Sequence, residues 1–328
     1  MSARPASRER RSPRVRLPEI GTWGPIFAFA GLVLLFGALE PDVFLTSGNF
    51  FSILNNQAVL AILACGLTVV LLTGEFDLSI GATLSFTGAL SAGLAAKSGL
   101  SVGLVVPLVL VIGILIGCVN GVLVAYFRVP ALIATLAVAS LLEGFTLWYT
   151  DGETIFAGIP KEYLDIGRWS IGDAKASFFY LIVIAVLLWA GLRYTAGGRF
   201  LHAIGDNREA SRLSGIRVER YVIVAFAIAG LCAAVAGVAQ TARNGSAQPT
   251  QGAALLLPAF AAAFLGSATL RRGEFHIAGT VIGVYLVATG SAGFIILGAP
   301  FFVTQLFSGA VLIIATASAR FLGRRDES

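Results

Sequence analysis

Long apolar runs follow one another along almost the whole chain, and short polar or glycine-rich stretches separate them. A helix needs about 20 mostly apolar residues to cross the hydrocarbon layer of a bilayer. By this rule the pattern predicts about ten membrane-spanning helices, over 24–40, 57–74, 78–96, 100–126, 130–149, 177–194, 220–241, 253–269, 277–296 and 301–319.

Two of these predicted spans are candidates for broken or re-entrant helices. Span 78–96 is rich in glycine and serine, and span 253–269 contains Pro258. Irregular backbone at membrane depth is tolerated where it is buried in protein. The pattern therefore leaves a continuous and a broken form open for both.

The composition excludes a soluble protein. The chain is 57% hydrophobic and 12% charged, with a mean hydropathy of +0.85, whereas soluble proteins carry about 25% charged residues. The apolar runs are continuous rather than alternating, which excludes a membrane β-barrel. Helices satisfy their own backbone in lipid, so the sequence predicts an all-α integral membrane protein.

The sequence contains few groups that could perform covalent chemistry. It has no GxxxxGK[ST] motif, so the chain itself is not expected to hold a nucleotide on a P-loop. His202 and His276 lie far apart, and Cys65, Cys118 and Cys232 fall inside apolar runs. No metal site and no paired acid and base are expected.

Basic residues are distributed unequally over the two sides of the predicted membrane domain, 23–320. One side receives the tail 1–22, Arg128, the segment 195–220, Arg271, Arg272 and the tail 321–328 with Arg324 and Arg325. The other side receives only Lys97, Lys161, Arg168, Lys175 and Arg243. Cytoplasmic loops carry the excess of Lys and Arg, so both tails and both termini are predicted to be cytoplasmic. These cations are interpreted as facing anionic lipid, not nucleic acid.

Two polar segments are long enough to contact other proteins. Segment 150–176 is predicted to be external, and segment 195–220 cytoplasmic. In the second, 209–215 has the pattern of a short helix that Asp206 or Asn207 caps and that Gly215 ends. Ala210 and Leu213 share one apolar face of that helix, which suits docking into a groove on another protein. A solvated loop that only joins two spans is the alternative.

The same segment carries a series of short motifs that resemble a known family. They are Gly198–Arg199–Phe200, Ala203–Ile204–Gly205–Asp206–Asn207, Glu209–Ala210 and Arg212–Leu213–Ser214–Gly215–Ile216. This series is similar to the signature of the ribose-type sugar permeases, which are membrane subunits of ATP-binding-cassette (ABC) importers. Further matches in the same order are 74–81 (GEFDLSIG), 132–136 (LIATL), 246–249 (SAQP) and Gly279–Thr280 with Gly283. The resemblance covers nearly the whole chain after the first predicted span.

The resemblance implies a transport subunit of the bacterial inner membrane rather than an enzyme. Two copies, or one copy and a related permease, would line a central route for a sugar or polyol. A periplasmic solute-binding protein would deliver the solute to segment 150–176, where Asp151 and Glu153 are candidate contacts. A cytoplasmic ATPase would bind ATP and Mg²⁺, whereas this chain would bind no cofactor. The ATPase would dock on segment 195–220, with the candidate docking residues Asn207, Glu209, Ala210, Arg212, Leu213 and Gly215.

The chain also departs from the family pattern, and these departures leave the solute open. The family usually has Gly or Ser where Glu75 stands, and often Arg where Glu143 stands. Its ELDAI segment appears here as 256–260 (LLPAF), and its Asn-Gly pair as Ala292–Gly293. A permease for nucleosides or branched-chain amino acids is one alternative. An ion-coupled secondary transporter that uses Glu75 or Asp77 is another.

The linker Gly74–Glu75–Phe76–Asp77 places two carboxylates between two predicted spans. Asp77 is expected to cap the next helix through the amide of Ser79 or Ile80. A further hypothesis makes the linker part of an inner gate, with the motif residues Gly74, Asp77, Ser79 and Gly81. Glu75 is expected to be solvated, to titrate, or to pair with an arginine such as Arg128 or Arg272.

A sugar route needs hydroxyl and amide groups between apolar walls. The leading candidates at predicted membrane depth are Asn55, Thr68, Asn120 and Thr135. For each of them, a contact that packs two helices together is the alternative.

Overall fold

The computed structural model describes residues 20–269 and 273–323. Within these ranges the chain forms fourteen helices and one two-stranded hairpin. The arginines of the tails 1–22 and 321–328 named above, together with Arg271 and Arg272, lie outside the described residues.

Ten long helices correspond to the ten predicted spans. They are α1 (Ile20–Leu39), α3 (Ser47–Leu71), α4 (Ile80–Lys97), α5 (Val102–Ala125), α6 (Ala131–Thr150), α8 (Ala176–Tyr194), α11 (Val218–Asn244), α12 (Ala253–Ser267), α13 (Ile277–Ile296) and α14 (Phe301–Gly323). The short elements are α2 (Pro41–Phe44), α7 (Lys161–Arg168), β1 (Ser170–Ile171), β2 (Ala174–Lys175), α9 (Ala196–Asp206) and α10 (Arg208–Leu213).

The largest difference in helix bounds is at α3, which begins ten residues before the predicted span. Thr46 caps it, because the Thr46 hydroxyl accepts the amide hydrogen of Asn49 at 3.2 Å. Asn55 and Asn56 are therefore inside the helix, although the predicted span began only at residue 57.

Of the two forms left open for the candidate segments, both adopt the continuous one. Helix α4 is continuous from Ile80 to Lys97, and α12 is continuous through Pro258. Helix α4 tolerates its glycines because they are packing sites: a side chain at Gly81 would collide with the carbonyl of Gly252, and one at Gly88 with the side chains of Gln251 and Thr241.

Among residues 20–269 and 273–323, six helices are long and apolar enough to cross a membrane, namely α3, α5, α6, α8, α11 and α13. Shorter apolar stretches are Gly24–Leu39, Ala253–Ser267 and Phe302–Val311. The chain is thus an all-α, multi-pass membrane protein.

Helix α11 lies at the centre of the bundle and packs most extensively against α5, then against α4 and α3. The α5 glycines that face it are spaced by four residues: Gly113, Gly117 and Gly121. A side chain at Gly117 would overlap the carbonyl oxygen of Phe226. These small residues let the two helix backbones approach closely, as expected for packing within a membrane.

One end of the bundle, called the α7 end here, is closed by α7 and the β1–β2 hairpin. Asn55 holds the hairpin with both ends of its amide: it donates to the Asp173 carbonyl at 2.9 Å and accepts from the Lys175 amide at 2.8 Å. Tyr163 of α7 is buried, and its hydroxyl contacts Ser91 Oγ at 2.5 Å. Burial raises the pKa of the Tyr163 hydroxyl.

Candidate docking and gate site

Helices α9 and α10 lie at the opposite end of the bundle, called the α10 end here. Asn207 starts α10, because its Oδ1 accepts the amide hydrogen of Ala210 at 2.9 Å. Gly215 follows the helix with φ of +83°, a conformation that glycine adopts without strain. The predicted cap is confirmed at Asn207, whereas Asp206 ends α9.

Helix α10 lies on α9 by one side and exposes the other. Ser211 is buried, and its hydroxyl donates to the carbonyl of Ala203 at 2.8 Å. Leu213 is 82% exposed, a large apolar side chain on a short charged helix. All six candidate docking residues are exposed: Asn207, Glu209, Ala210, Arg212, Leu213 and Gly215.

An ion pair joins α10 to the α3–α4 linker. Arg208 Nη1 donates to Glu75 Oε1 at 2.6 Å, and the Glu75 side chain is only 14% exposed. Of the three alternatives for Glu75, pairing with an arginine is confirmed, but the partner is Arg208 rather than Arg128. The sequence did not indicate Arg208, because it reaches Glu75 only through the fold, from 133 residues away in the sequence.

Backbone packing supports the same junction. Gly205 of α9 lies directly against the carbonyl oxygen of Leu72, at the end of α3, where any side chain would collide with it. At the other end of α10, Arg212 Nη2 donates to Glu219 Oε1 at 2.6 Å, in the first turn of α11. Helix α10 is thus fastened both to the linker and to the central helix.

The linker carries a buried hydrogen-bonded cluster. Asp77 is 2% exposed, and its Oδ1 accepts from the Ser79 amide at 2.8 Å and from the Ser79 hydroxyl at 2.7 Å. The predicted hydrogen bond from the Ser79 amide to Asp77 is confirmed, whereas the residue that caps α4 is Ser79 itself. Asn120 of α5 donates to Ser79 Oγ at 2.7 Å, so the cluster ties the linker to α5.

Two of the four pathway candidates belong to this cluster. Besides Asn120, Thr135 of α6 accepts the Leu78 amide hydrogen at 3.0 Å. The Oδ1 of Asn120 is buried and has no hydrogen-bond partner among the described residues. The structure thus brings Asn120 and Thr135 together with the motif residues Asp77 and Ser79, which the sequence could not indicate.

The other two pathway candidates lie elsewhere. Asn55 holds the hairpin at the α7 end, and the Thr68 hydroxyl bonds to Ala64 and to Thr280 Oγ1 at 2.7 Å. All four candidates are at most 4% exposed. Their side chains pack helices and loops within one chain, and their role in a solute route stays a prediction.

The remaining candidates occupy the two ends of the bundle. Asp151 and Glu153 are exposed in the turn after α6, where Asp151 has φ of +53°. At the linker, Gly74 has φ of +79°, a turn that favours glycine, and Gly81 approaches the backbone of Gly252. No group of three potential metal ligands occurs among residues 20–269 and 273–323.

The family model described as "Branched-chain amino acid transport system / permease component" matches residues 49–316. The chain belongs to this permease family. It is 36% identical over 293 residues to the ribose import permease protein of Escherichia coli K12, covering 88% of this chain and 91% of the relative. It is 37% identical over 293 residues to the ribose import permease protein of Bacillus subtilis 168, with 89% and 90% coverage. No solved structure matches.

A third relative broadens the group. The D-allose transport system permease protein of Escherichia coli K12 is 29% identical to this chain over 302 residues. The match covers 92% of this chain and 92% of that protein. Relatives named for a sugar thus match over nearly the full length of the chain, in agreement with the resemblance seen in the short motifs.

Proposed function

We propose that this permease is the membrane-spanning subunit of an ABC importer that carries a sugar or a sugar-like polyol. The observation that carries the proposal is the exposed helix α10, whose Arg208 is bonded to Glu75 of the α3–α4 linker at 2.6 Å. A partner that binds Leu213 and the other exposed residues of α10 would move this helix. The ion pair would transmit that movement to the α3–α4 linker. The relatives named as ribose and D-allose permeases support the sugar class.

In the proposed arrangement all ten long helices cross the bacterial inner membrane, with both termini and the α10 end in the cytoplasm. The ATPase holds ATP and Mg²⁺ and docks on α10. A periplasmic binding protein docks at the α7 end, near Asp151 and Glu153, and a second permease completes the route. The chain itself provides binding surfaces and moving parts rather than a reactive group.

The motif Gly74, Asp77, Ser79 and Gly81 forms the inner gate in this proposal. The Asp77–Ser79–Asn120 hydrogen bonds support it, because they give the start of α4 a defined position that a movement of the linker would change. ATP binding would close the ATPase, shift α10 and thereby switch the route between outward and inward access.

The test is uptake of labelled ribose, allose and xylose, with leucine for comparison, by proteoliposomes that contain the permease, its partner ATPase and its solute-binding protein. We expect uptake of a sugar that requires ATP. Uptake driven by an ion gradient without ATP would contradict the proposal, and uptake of leucine alone would contradict the sugar class.

A matched pair of variants tests the docking surface. Leu213→Ala removes the exposed apolar side chain of α10 and is expected to reduce co-purification of the ATPase severalfold. Leu187→Ala removes an equally apolar, 65% exposed side chain from α8 and is expected to leave co-purification unchanged. Equal retention of the ATPase by both variants would contradict docking at Leu213.

A further inference from the structure

Glu143 is an exposed carboxylate in the middle of a predicted span. Helix α6 has 20 residues and so extends about 30 Å, the thickness of the hydrocarbon layer. Glu143 lies about 4 Å from the midpoint of this helix. Its side chain faces outward from the chain and makes no hydrogen bond or ion pair with the described residues.

A carboxylate at this depth is not expected to face lipid. Charged side chains in membrane-spanning segments face a protein interior or a water-filled cavity, because hydrocarbon does not solvate them. Within this chain Glu143 faces neither, since it is exposed, whereas Ala134, Val138 and Leu142 form the buried side of α6. The exposed face must therefore be covered by something other than lipid.

The exposed side of α6 also carries a groove, beside Glu143 but not lined by it, that has the chemistry of a solute-binding wall. Ser140, Leu141, Gly144, Phe145 and Trp148 line a shallow groove of about 470 Å³. Trp148 is 77% exposed, and Gly144 leaves the groove open because nothing lies within 4 Å of the place where its side chain would be. Aromatic walls with a few polar groups are typical of small-molecule sites.

The polar side chains proposed for a solute route are engaged in packing contacts inside the chain. The polar candidates Asn55, Thr68, Asn120 and Thr135 are buried and hydrogen-bonded. A groove of about 920 Å³ beside α1 and α3 is lined mainly by apolar side chains such as Phe29, Val33 and Ile53.

We infer that the exposed face of α6 lines the solute route between two copies of this chain, and that Glu143 is a specificity-determining residue in it. The inference rests on the proposed function. In a two-fold symmetric pair the same surface faces itself, so two Glu143 carboxylates flank the middle of the route. They admit neutral sugars and disfavour anionic solutes, as charged side chains do in pores.

The first test measures access of water to the α6 face. Single cysteines are placed at Ser140 and, as control, at Val186 on the exposed side of α8, in the Cys118→Ala parent, which keeps the buried Cys65 and Cys232. Both test positions lie within about 2 Å of their helix midpoints. The complete complex is treated with charged, membrane-impermeant methanethiosulfonates.

We expect Ser140→Cys to react at least about tenfold faster than Val186→Cys, because a thiol must ionise to react and cannot do so in lipid. Should Ser140→Cys impair assembly, Gly144→Cys replaces it, since that site is open. Equally slow labelling of Ser140→Cys and Val186→Cys would overturn the inference.

The second test measures the charge of Glu143. The Ser140→Cys protein is labelled with a cationic and with an anionic reagent, and the cationic rate is divided by the anionic rate. This ratio is compared between the protein that keeps Glu143 and the one that also carries Glu143→Gln. Positions three apart on a helix are about 5–6 Å apart, so the ratio is expected to fall about threefold or more in the Gln variant. Because Gln keeps the size of the side chain, a purely structural role would leave the ratio unchanged, and that result would contradict the role of Glu143.

The third test identifies the covering partner. A bifunctional methanethiosulfonate long enough to span the route is expected to link the two copies of Ser140→Cys, or of Leu136→Cys, within one complex. A chain that is labelled by the water-soluble reagents but never linked to its copy would contradict the second copy as partner. If labelling fails while the ATPase still co-purifies and sugar uptake still needs ATP, this inference alone fails and the proposed function stands.

Discussion

Arg208 on the exposed helix α10 and Glu75 in the α3–α4 linker form an ion pair with 2.6 Å between Nη1 and Oε1. The pair joins the surface proposed to receive the ATPase to the segment proposed to gate the route. Glu75 is largely buried, whereas the Arg208 side chain remains 42% exposed. A displacement of α10 can therefore act on the start of α4 through one defined contact.

Breaking this pair is expected to uncouple ATP hydrolysis from uptake. Partly exposed ion pairs contribute up to about 1 kcal/mol, so Glu75→Gln is expected to lower sugar uptake per ATP hydrolysed by up to about fivefold. The ATPase is expected to remain bound, because Glu75 lies outside the docking surface. The measurement is the ratio of uptake to hydrolysis in proteoliposomes.

Two controls accompany that measurement. The exchanged pair Glu75→Arg with Arg208→Glu is expected to recover part of the ratio, which neither single variant does. Arg193→Gln removes an exposed arginine of α8 that has no ion pair among the described residues, and it is expected to behave as the parent. Normal coupling in Glu75→Gln would exclude the ion pair as a transmitting contact.

Asp77→Asn is expected to impair transport without preventing assembly. The Asn oxygen can still accept from the Ser79 amide, but it loses the negative charge that strengthens both hydrogen bonds. We expect about a tenfold lower uptake, with unchanged yield and ATPase binding. Asp42→Asn, at an exposed carboxylate of α2, serves as the matched control. Uptake at the parent level in Asp77→Asn would rule out the gate role.

Gly117→Ala is expected to destabilise the bundle. The added methyl group would overlap the carbonyl of Phe226 on α11, and overpacking of this kind costs about 1–3 kcal/mol. Gly103→Ala on the same helix meets nothing within 4 Å and is expected to be neutral or slightly stabilising. The measurement is the midpoint of thermal unfolding in detergent, and equal midpoints for the two variants would contradict close α5–α11 packing.

Local features of the site could be predicted from the sequence. The cap at Asn207 and the stop at Gly215 depend on residues within one helical turn, and both were found where the pattern placed them. The hydrogen bond from the Ser79 amide to Asp77, just before α4, is equally local. The ten helices followed from hydropathy, since each apolar run is long enough to form its own element.

Contacts across the sequence could not be predicted in this way. The partner of Glu75 depends on how α9 packs against the end of α3, and hydropathy contains no information on that packing. The continuity of α4 depends on Gly252 and Thr241, which come close to its glycines only in the folded bundle. Similarly, the sequence shows Glu143 only as a single charge in an apolar run. The fold is needed to show that it lies on the exposed side of α6.

The central claim, that α10 is the docking helix of an ATPase, is tested most directly by site-specific photo-crosslinking from position 213 in the intact complex. A photoreactive amino acid at Leu213 is expected to capture the ATPase, whereas the same group at Ile171, 66% exposed at the α7 end, is expected not to. Capture of the ATPase from Ile171, or its absence from Leu213 in complexes that transport sugar with ATP, would contradict the claim.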